Sequence, residues 1–511
     1  MVGVFSFLML REIRAGLTLL LFFAATIENQ AQDRCGTVEY TKILFEKNLI
    51  RDNDRKFEKW LSQKKVNISS RTYTDATIKI PVVVHVIHNG EAVGSGSNIS
   101  DVQIASQIKV LNNDFKRLNA DTSKTPQEFQ SYAGKINIEF VLAKQSPDGL
   151  VTNGIRRVKG TKSRWTMNDN SLLKSLSYWP AEQYLNVWVT DIASTILGYA
   201  QFPLSDLPGL EDAETNRLTD GVVLDYRIVG SNQDGSFNLT TEFNRGRTAT
   251  HEVGHFFGLR HIWGDDDGAC NGAGDYVDDT PNQGNSSDGC PSHPQIGCNV
   301  KTMFQNYMDY TNDVCMNLYT RQQVERMLTV LENSPRRASL LASPGLYDPT
   351  LVNNDLAIKE IFSPSSHACK GNVVPTIMVK NNGLNAITSA KIQLTVGTTV
   401  VETKTFNFNP LGVQESTEVS FALFPLSVGN IEFNFEILET NGTTDGKSME
   451  NTKAITTAVP DDIVTPFSEN FNTLPQNWPL LNTDEETTWT LVQTGDVNNS
   501  ANKAEIGRAH V

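Results

Sequence analysis

His251-Glu252-Val253-Gly254-His255-Phe256-Phe257-Gly258-Leu259-Arg260-His261 decides how this chain is read. Residues four apart share a face of an α-helix, so His251 and His255 can present two imidazoles to one ion. Glu252 then faces the side where a water beside that ion would lie. A straight helix would carry His261 away from the same point. Gly258 permits a sharp turn, because glycine adopts backbone angles that other residues avoid. With that turn His261 returns as a third ligand. Three histidines leave a fourth zinc position open, which a catalytic site requires, and Glu252 stands as general base toward a water there.

Upstream, an α/β unit is expected. Ile78 to Ile87 is rich in β-branched residues, as a buried strand should be. Ser100-Asp101 can cap a helix to about Lys116 whose apolar positions suit packing on a sheet. Further strands are expected at Ile136–Leu142, Leu185–Val189, Gly198–Phe202 and Val222–Tyr226, with the motif helix starting near Thr248. Strands and helices interleaved in this way predict a sheet covered by helices. Between Cys270 and Cys315 the pattern gives way to Gly, Asp, Asn and Pro, and a last helix is read at Arg321–Asn333. Past Pro344 short alternating strands recur every 8–12 residues, the texture of an immunoglobulin-type β-sandwich.

At 511 residues two to four domains are expected. The boundaries read from the sequence are 1–31 as signal peptide, 32–70 as prosegment, 71–345 as catalytic domain and 350–459 as β-sandwich. Residues 465–511 read as the start of a further β domain. Arg11 and Arg14 precede the apolar run Ala15–Ala25, and small residues follow at Ala25 and Ala31, the form of an export signal. No later stretch is long and apolar enough for a transmembrane helix. The prosegment, polar and charge-rich, offers little to a core. The last seven residues, Glu505-Ile506-Gly507-Arg508-Ala509-His510-Val511, resemble a translated sequencing adapter, so the natural chain is expected to continue. The net charge of −14 argues against nucleic acid as a partner.

Four of six cysteines (Cys270, Cys290, Cys298, Cys315) fall within 46 residues. In an exported protein they read as two disulfides. Cys369 reads as buried and free. His85, His88 and His293 read as structural.

The long zinc signature resembles that of the metzincin clan, and Asn306-Tyr307-Met308-Asp309-Tyr310 resembles its Met-turn. The closer resemblance is to the pappalysin family, in its compact bacterial, ulilysin-like members. It is carried by Gly274-Asp275-Tyr276-Val277-Asp278-Asp279-Thr280-Pro281, by Tyr310-Thr311-Asn312-Asp313-Val314-Cys315-Met316, by the cysteine cluster and by Arg34-Cys35-Gly36. It covers residues 34–340 and not the C-terminal domains.

The resemblance implies a metzincin-type α/β catalytic domain: a twisted mixed sheet, an active-site helix and a loop-rich C-terminal subdomain, here followed by all-β sandwich units. It implies a secreted zinc endopeptidase made as a zymogen, acting on peptides or proteins. Met308 would floor the zinc site and Tyr310 would stabilise the oxyanion. The disulfides would be Cys270–Cys298 and Cys290–Cys315. Cys35 would block the open zinc position. Asp275 and Thr280, with Asp278 or Asp279, would hold Ca²⁺. Asp313 would lie at the base of the S1′ pocket and select Arg, and less well Lys, at P1′. Ser70–Arg71 then becomes the expected maturation bond. A competing reading is a surface adhesion protein with a vestigial peptidase unit, its β domains touching a surface or carbohydrate. The intact motif argues against it.

Overall fold

The computed structural model describes residues 34–46, 54–65, 77–203, 214–265, 270, 272, 274–447, 450–461, 490–495 and 501–505. The export signal, Ser70–Arg71, residues 465–489 of the further β domain read from the sequence, and the last six residues lie outside them. Among the described residues no helix is long and apolar enough to cross a membrane.

Two helices precede the sheet: α1 (Thr37–Glu46) and α2 (Asp54–Lys65). The strand β1 (Ile78–His88) follows, with Val82, Val83 and Val84 buried on alternate faces, and then α3 (Asp101–Phe115). The Ser100 hydroxyl accepts from Gln103 N at 3.2 Å and starts α3. Then come β2 (Ile138–Leu142), β3 (Ile155–Lys159), α4 (Asn170–Ser175), β4 (Leu185–Thr190), β5 (Gly198–Ala200) and β6 (Val222–Asp225). The sheet runs β2-β1-β4-β6-β5, with β3 also on β1. Its pairings are parallel except β5 on β6, so β5 is an antiparallel edge strand.

The motif helix α5 (Arg247–Phe256) and α3 cover one face, where Val82, Val84, Val187, Val189, Val222 and Leu224 meet Ala249, Val253 and Phe256. The other face, with Ile87, Trp188, Tyr199 and Val223, is covered by Trp165, by Leu173 of α4, and by Tyr40 and Leu44 of α1. The sequence texture made residues 32–70 a poor core former. The structure corrects this: Tyr40, Leu44, Phe57, Trp60 and Leu61 are each at most 5% exposed. Their stripes at i,i+4 and i,i+3,i+4 are narrow, and what buries them is the domain that follows.

After α5 the chain crosses a loop-rich stretch holding a small hairpin, β7 (Ile296–Gly297) and β8 (Val300–Lys301), and reaches α6 (Arg321–Asn333). Disulfides Cys270–Cys298 and Cys290–Cys315 pin that stretch, with Cα–Cα distances of 5.3 and 5.9 Å. Thr320 and Gln323 form a reciprocal capping box on α6.

The C-terminal unit is all-β. Strands β9 (Leu356–Ser363), β10 (Gly371–Val373), β11 (Thr376–Asn381), β12 (Ile387–Val396), β13 (Thr399–Leu411), β14 (Ser416–Ser420), β15 (Phe424–Leu426), β16 (Gly429–Thr440), β17 (Thr443–Thr444) and β18 (Thr452–Val459) run in sequence. They form one sheet β14-β11-β9, a second β13-β12-β16-β17 with β18 on β16, and the pair β10-β15. All pairings are antiparallel. Leu356, Ile377, Val379, Ile392, Leu394, Phe433 and Phe435 fill the core between them. Cys369 is exposed, not buried as expected, because it lies between β9 and β10, outside the alternation that turns side chains inward.

Candidate active site

The helix α5 starts without a side-chain cap of its own: Gly246 precedes it at φ 72°. Its first amides are taken by Asp313, 66 residues on, whose Oδ2 accepts from Arg245 N at 2.9 Å and Arg247 N at 3.2 Å. The Arg247 guanidinium ties the same segment down. It donates to the carbonyls of Asp313 (2.8 Å) and Met316 and to both oxygens of Asp121 (2.6 and 2.7 Å). At the other end Gly258 sits at φ 86°, where a Cβ would approach Val330 to 2.8 Å. Helix and turn thus have the shape expected, and His261 comes back toward His251 and His255.

The three rings are wholly buried. His255 Nε2 lies 3.1 Å from Nε2 of His251 and 3.1 Å from Nε2 of His261. Each Nδ1 already has an acceptor: Tyr307 O at 2.7 Å, Leu259 O at 2.7 Å and Asp265 Oδ1 at 2.6 Å, respectively for His251, His255 and His261. With the Nδ1 protons donated there, three Nε2 lone pairs face one point. Only a cation reconciles that arrangement, and burial together with mutual repulsion holds His255 down to about 3. Cys35 Sγ completes the group, all four ligand atoms lying within 4.8 Å of one another. The donor set fits zinc.

Glu252 is fully buried, and burial raises its pKa to about 7. Its Oε2 accepts from Thr37 Oγ1 at 2.9 Å and from Cys35 Sγ at 3.4 Å, while Oε1 has no hydrogen bond. Gly198 of β5 lies opposite; a Cβ there would come within 3.1 Å of Glu252 Cγ. Met308 is buried, its sulfur against Gly254 of the motif helix. The Tyr310 ring packs at 5.0 Å from His261, and its hydroxyl donates to the Cys35 carbonyl at 3.3 Å.

Residues 34–37 lie along β5. Gly36 N donates to Gly198 O at 2.9 Å, Leu197 N to Arg34 O at 3.0 Å and Ala200 N to Thr37 Oγ1 at 2.9 Å. The Cys35–Gly198 pairing is parallel. Arg34, 1% exposed, places its Nη2 3.2 Å from Asp313 Oδ1 and its guanidinium over Phe243. Asp313 therefore divides its oxygens, one to the start of α5 and one to a guanidinium.

In the loop-rich stretch Asp275 and Thr280 are buried together, with Thr280 Oγ1 on Asp275 Oδ1 at 2.8 Å. Burial raises Asp275 to about 7. Asp279 Oδ2 accepts from Gln322 N at 2.9 Å, while Asp278 is exposed and its amide donates to Gln322 Oε1. Buried His85 hydrogen-bonds Ser177 and Asn186, a structural role as expected.

Four contributors escaped the sequence reading. Asp265 orients His261, and Trp263 stacks on it at 4.3 Å and 5°. Thr37 holds Glu252. Glu58 of α2 pairs with Arg260 at 2.9 Å and Arg326 at 2.6 Å. Asp265, one turn after His261, and Trp263, two residues after it, carried usable signals; Thr37 and Glu58 meet partners more than 200 residues away.

The family model for pregnancy-associated plasma protein-A matches residues 168–332, and the CARDB model matches 353–455. An extracellular metalloprotease of Uncinocarpus reesii is 31% identical over 255 residues, 49% of this chain and 76% of that relative. One of Verticillium alfalfae is 33% identical over 262 residues, 49% of this chain and 75% of the other. Among solved structures, a promirolysin mutant from Tannerella forsythia is 41% identical, with a TM-score of 0.50 over 60% of this chain and 97% of its own. Three histidines converging on one point, on the sheet and helix described, agree with these matches, and the chain belongs to the pappalysin family of metzincin zinc metallopeptidases.

Proposed function

We propose that the chain is an exported endopeptidase held latent by residues 32–70 and preferring Arg, then Lys, at P1′. The convergence of three Nε2 atoms whose Nδ1 partners are already satisfied carries this reading. His251, His255 and His261 would hold the zinc, which supplies a Lewis acid for the scissile carbonyl and acidifies a water. Glu252 takes a proton from the attacking water at its carboxylate and returns it to the leaving amine nitrogen. Tyr310 donates its hydroxyl proton to the carbonyl oxygen that gains charge, as it donates to the Cys35 carbonyl in the latent form.

Asp313 receives the P1′ cation in the way it receives Arg34. Cys35 keeps substrate and water from the metal, and Arg34 fills the specificity pocket. Maturation is assigned to Ser70–Arg71, whose P1′ residue matches that preference. Ca²⁺ is assigned to Asp275 and Thr280, with Asp278 or Asp279. A buried carboxylate raised to about 7 is the charge such a cation would hold. Residues 71–345 then form the peptidase and 350–459 a sandwich able to make surface or carbohydrate contact; extracellular relatives support export.

The test is the full chain, wild type and Glu252→Ala, incubated with a peptide library in Zn²⁺ and Ca²⁺, with cut bonds identified by mass spectrometry. Cuts before Arg that vanish in the variant and in chelator are expected. Cuts without basic preference would discard the pocket assignment. No cuts after removal of residues 32–70 would leave the adhesion reading.

A further inference from the structure

The prosegment leaves a second imprint beside the metal site, on the side away from Asp313. Past Cys35 the chain turns into α1, with Tyr40 N donating to Gly36 O at 2.8 Å. This brings the Tyr40 ring against Tyr199, the central residue of edge strand β5, at a centroid distance of 5.0 Å. Its phenol is read from both sides: Asn170 Nδ2 donates to it at 2.9 Å, and it donates to Gln201 Oε1 at 3.2 Å. Tyr199 also donates to Asn170 Oδ1, which orients that amide.

Beneath the ring lies Lys174, wholly buried. Its ammonium donates to Thr219 O at 2.6 Å and sits 5.0, 4.8 and 5.4 Å from the ring centroids of Tyr40, Trp188 and Tyr199. Asp220, the acid that acts on it electrostatically, is engaged by Arg336 and Arg337. Three π faces and one carbonyl therefore surround this charge. Two aromatic walls, a cation under the ring and a donor–acceptor amide pair at the hydroxyl form a socket matched to a phenol. Phenylalanine would take away the acceptor of Asn170 Nδ2, while Gln201 Oε1 keeps the Thr219 hydroxyl at 2.9 Å.

We propose that in the matured enzyme this socket is a substrate subsite for a tyrosine side chain on the N-terminal side of the scissile bond. This rests on the zymogen reading, in which residues 32–70 leave. Its position follows from the imprint. Arg34 and Tyr40 lie on opposite sides of Cys35, and Arg34 marks P1′. Tyr40 stands one helical turn, about 5.4 Å, beyond Gly36. An extended peptide at about 3.3 Å per residue spans that distance in two residues. The tyrosine is therefore expected at P2 or P3. A site that hydrogen-bonds a hydroxyl discriminates against the analogue lacking it, here by about tenfold at a partly open edge.

The experiment lets the full chain mature, confirms the new N-terminus by mass spectrometry, and measures kcat/KM on fluorogenic peptides. These carry Arg at P1′ and Tyr, Phe, Glu or Ala at P2, P3 or P4. Tyrosine at P2 or P3 is expected to exceed phenylalanine about tenfold and alanine by more, mainly through KM. In Asn170→Ala the Tyr/Phe ratio falls toward one. In Lys174→Met, which keeps the apolar bulk, the Tyr/Ala ratio falls. Each ratio is read within one variant, so a general loss of activity does not imitate the effect. Cleavage of the alanine peptide with no tyrosine preference, or a preference for glutamate, overturns this proposal and leaves the peptidase reading intact. No cleavage of any peptide removes both.

Discussion

Replacing Asp313 separates two functions that one carboxylate performs. Oδ1 meets the Arg34 guanidinium at 3.2 Å, and Oδ2 caps α5 through the amides of Arg245 and Arg247. Both partners are buried, at 1% side-chain exposure each. Removing one member of a buried ion pair costs about 3–5 kcal/mol because the other charge is left uncompensated. At 1.36 kcal/mol per decade this is about 10²–10⁴-fold in kcat/KM for a P1′ arginine peptide. Losing a helix cap costs about 0.5–2 kcal/mol of stability. Asparagine keeps an oxygen for the cap and loses the charge, whereas alanine loses both. Asp313→Asn is therefore expected to lose the arginine preference with little change in urea midpoint. Asp313→Ala is expected to lose the preference and also unfold earlier. Both variants should leak activity before maturation, because Arg34 no longer anchors Cys35. The assay is kcat/KM on paired P1′ Arg and P1′ Leu peptides, beside urea melts of the matured enzyme, from which Arg34 has left. An asparagine variant that still prefers arginine, or an alanine variant as stable as wild type, would refute the division of labour.

Asp265→Asn weakens the acceptor on His261 Nδ1 and is expected to raise the zinc dissociation constant about 10–100-fold in a chelator competition. Unchanged affinity would mean Asp265 orients nothing. Glu58→Gln uncouples α2 from Arg260 and Arg326, and hydrogen exchange of the α2 amides should rise while that of β1 stays slow. Asp220 pairs with Arg336 and Arg337 in the interior, and those guanidinium groups hold its pKa below the ordinary carboxylate value. Because the folded value lies under the unfolded one, about 3.9, the pair's contribution is present above that pH. It is lost as pH falls through the lower folded value. Asp220→Asn should cost about 3–5 kcal/mol at pH 7 and flatten the acid limb of the stability curve; an acid limb as steep as wild type would count against it.

The metal site was legible because its spacing is local. His251 and His255 are one helical turn apart, and Gly258 marks the bend that returns His261. The sheet was legible from β-branched runs such as Val82–Val86, and α6 from its apolar spacing. The strand read to Phe202 ends at Ala200, since the ring of Phe202 turns away to meet Phe57. What stayed hidden was long-range. Nothing local marks Asp313 as the cap of a helix that starts 66 residues earlier, or Arg34 as its partner 279 residues away. The prosegment misled through its composition: its charged residues outnumber the five large side chains that turn inward, and helices this short owe their burial to tertiary contacts.

Those five side chains have a thermodynamic consequence for release. Burying Tyr40, Leu44, Phe57, Trp60 and Leu61 is worth roughly 1.5–3 kcal/mol each, on the order of 10 kcal/mol together. While the chain is continuous, tethering holds the brake at an effective concentration in the millimolar range. One cut between α2 and β1 removes none of the contacts. It changes only the molecularity, from a first-order equilibrium to a second-order one. Inhibition after the cut then depends on protein concentration, and onset of activity becomes a dilution response. Cleaved protein kept concentrated should remain silent and wake on dilution, with a midpoint that reads the affinity of residues 34–65 for their own enzyme. Full activity at every concentration immediately after the cut would show that the contacts do not outlast the covalent bond.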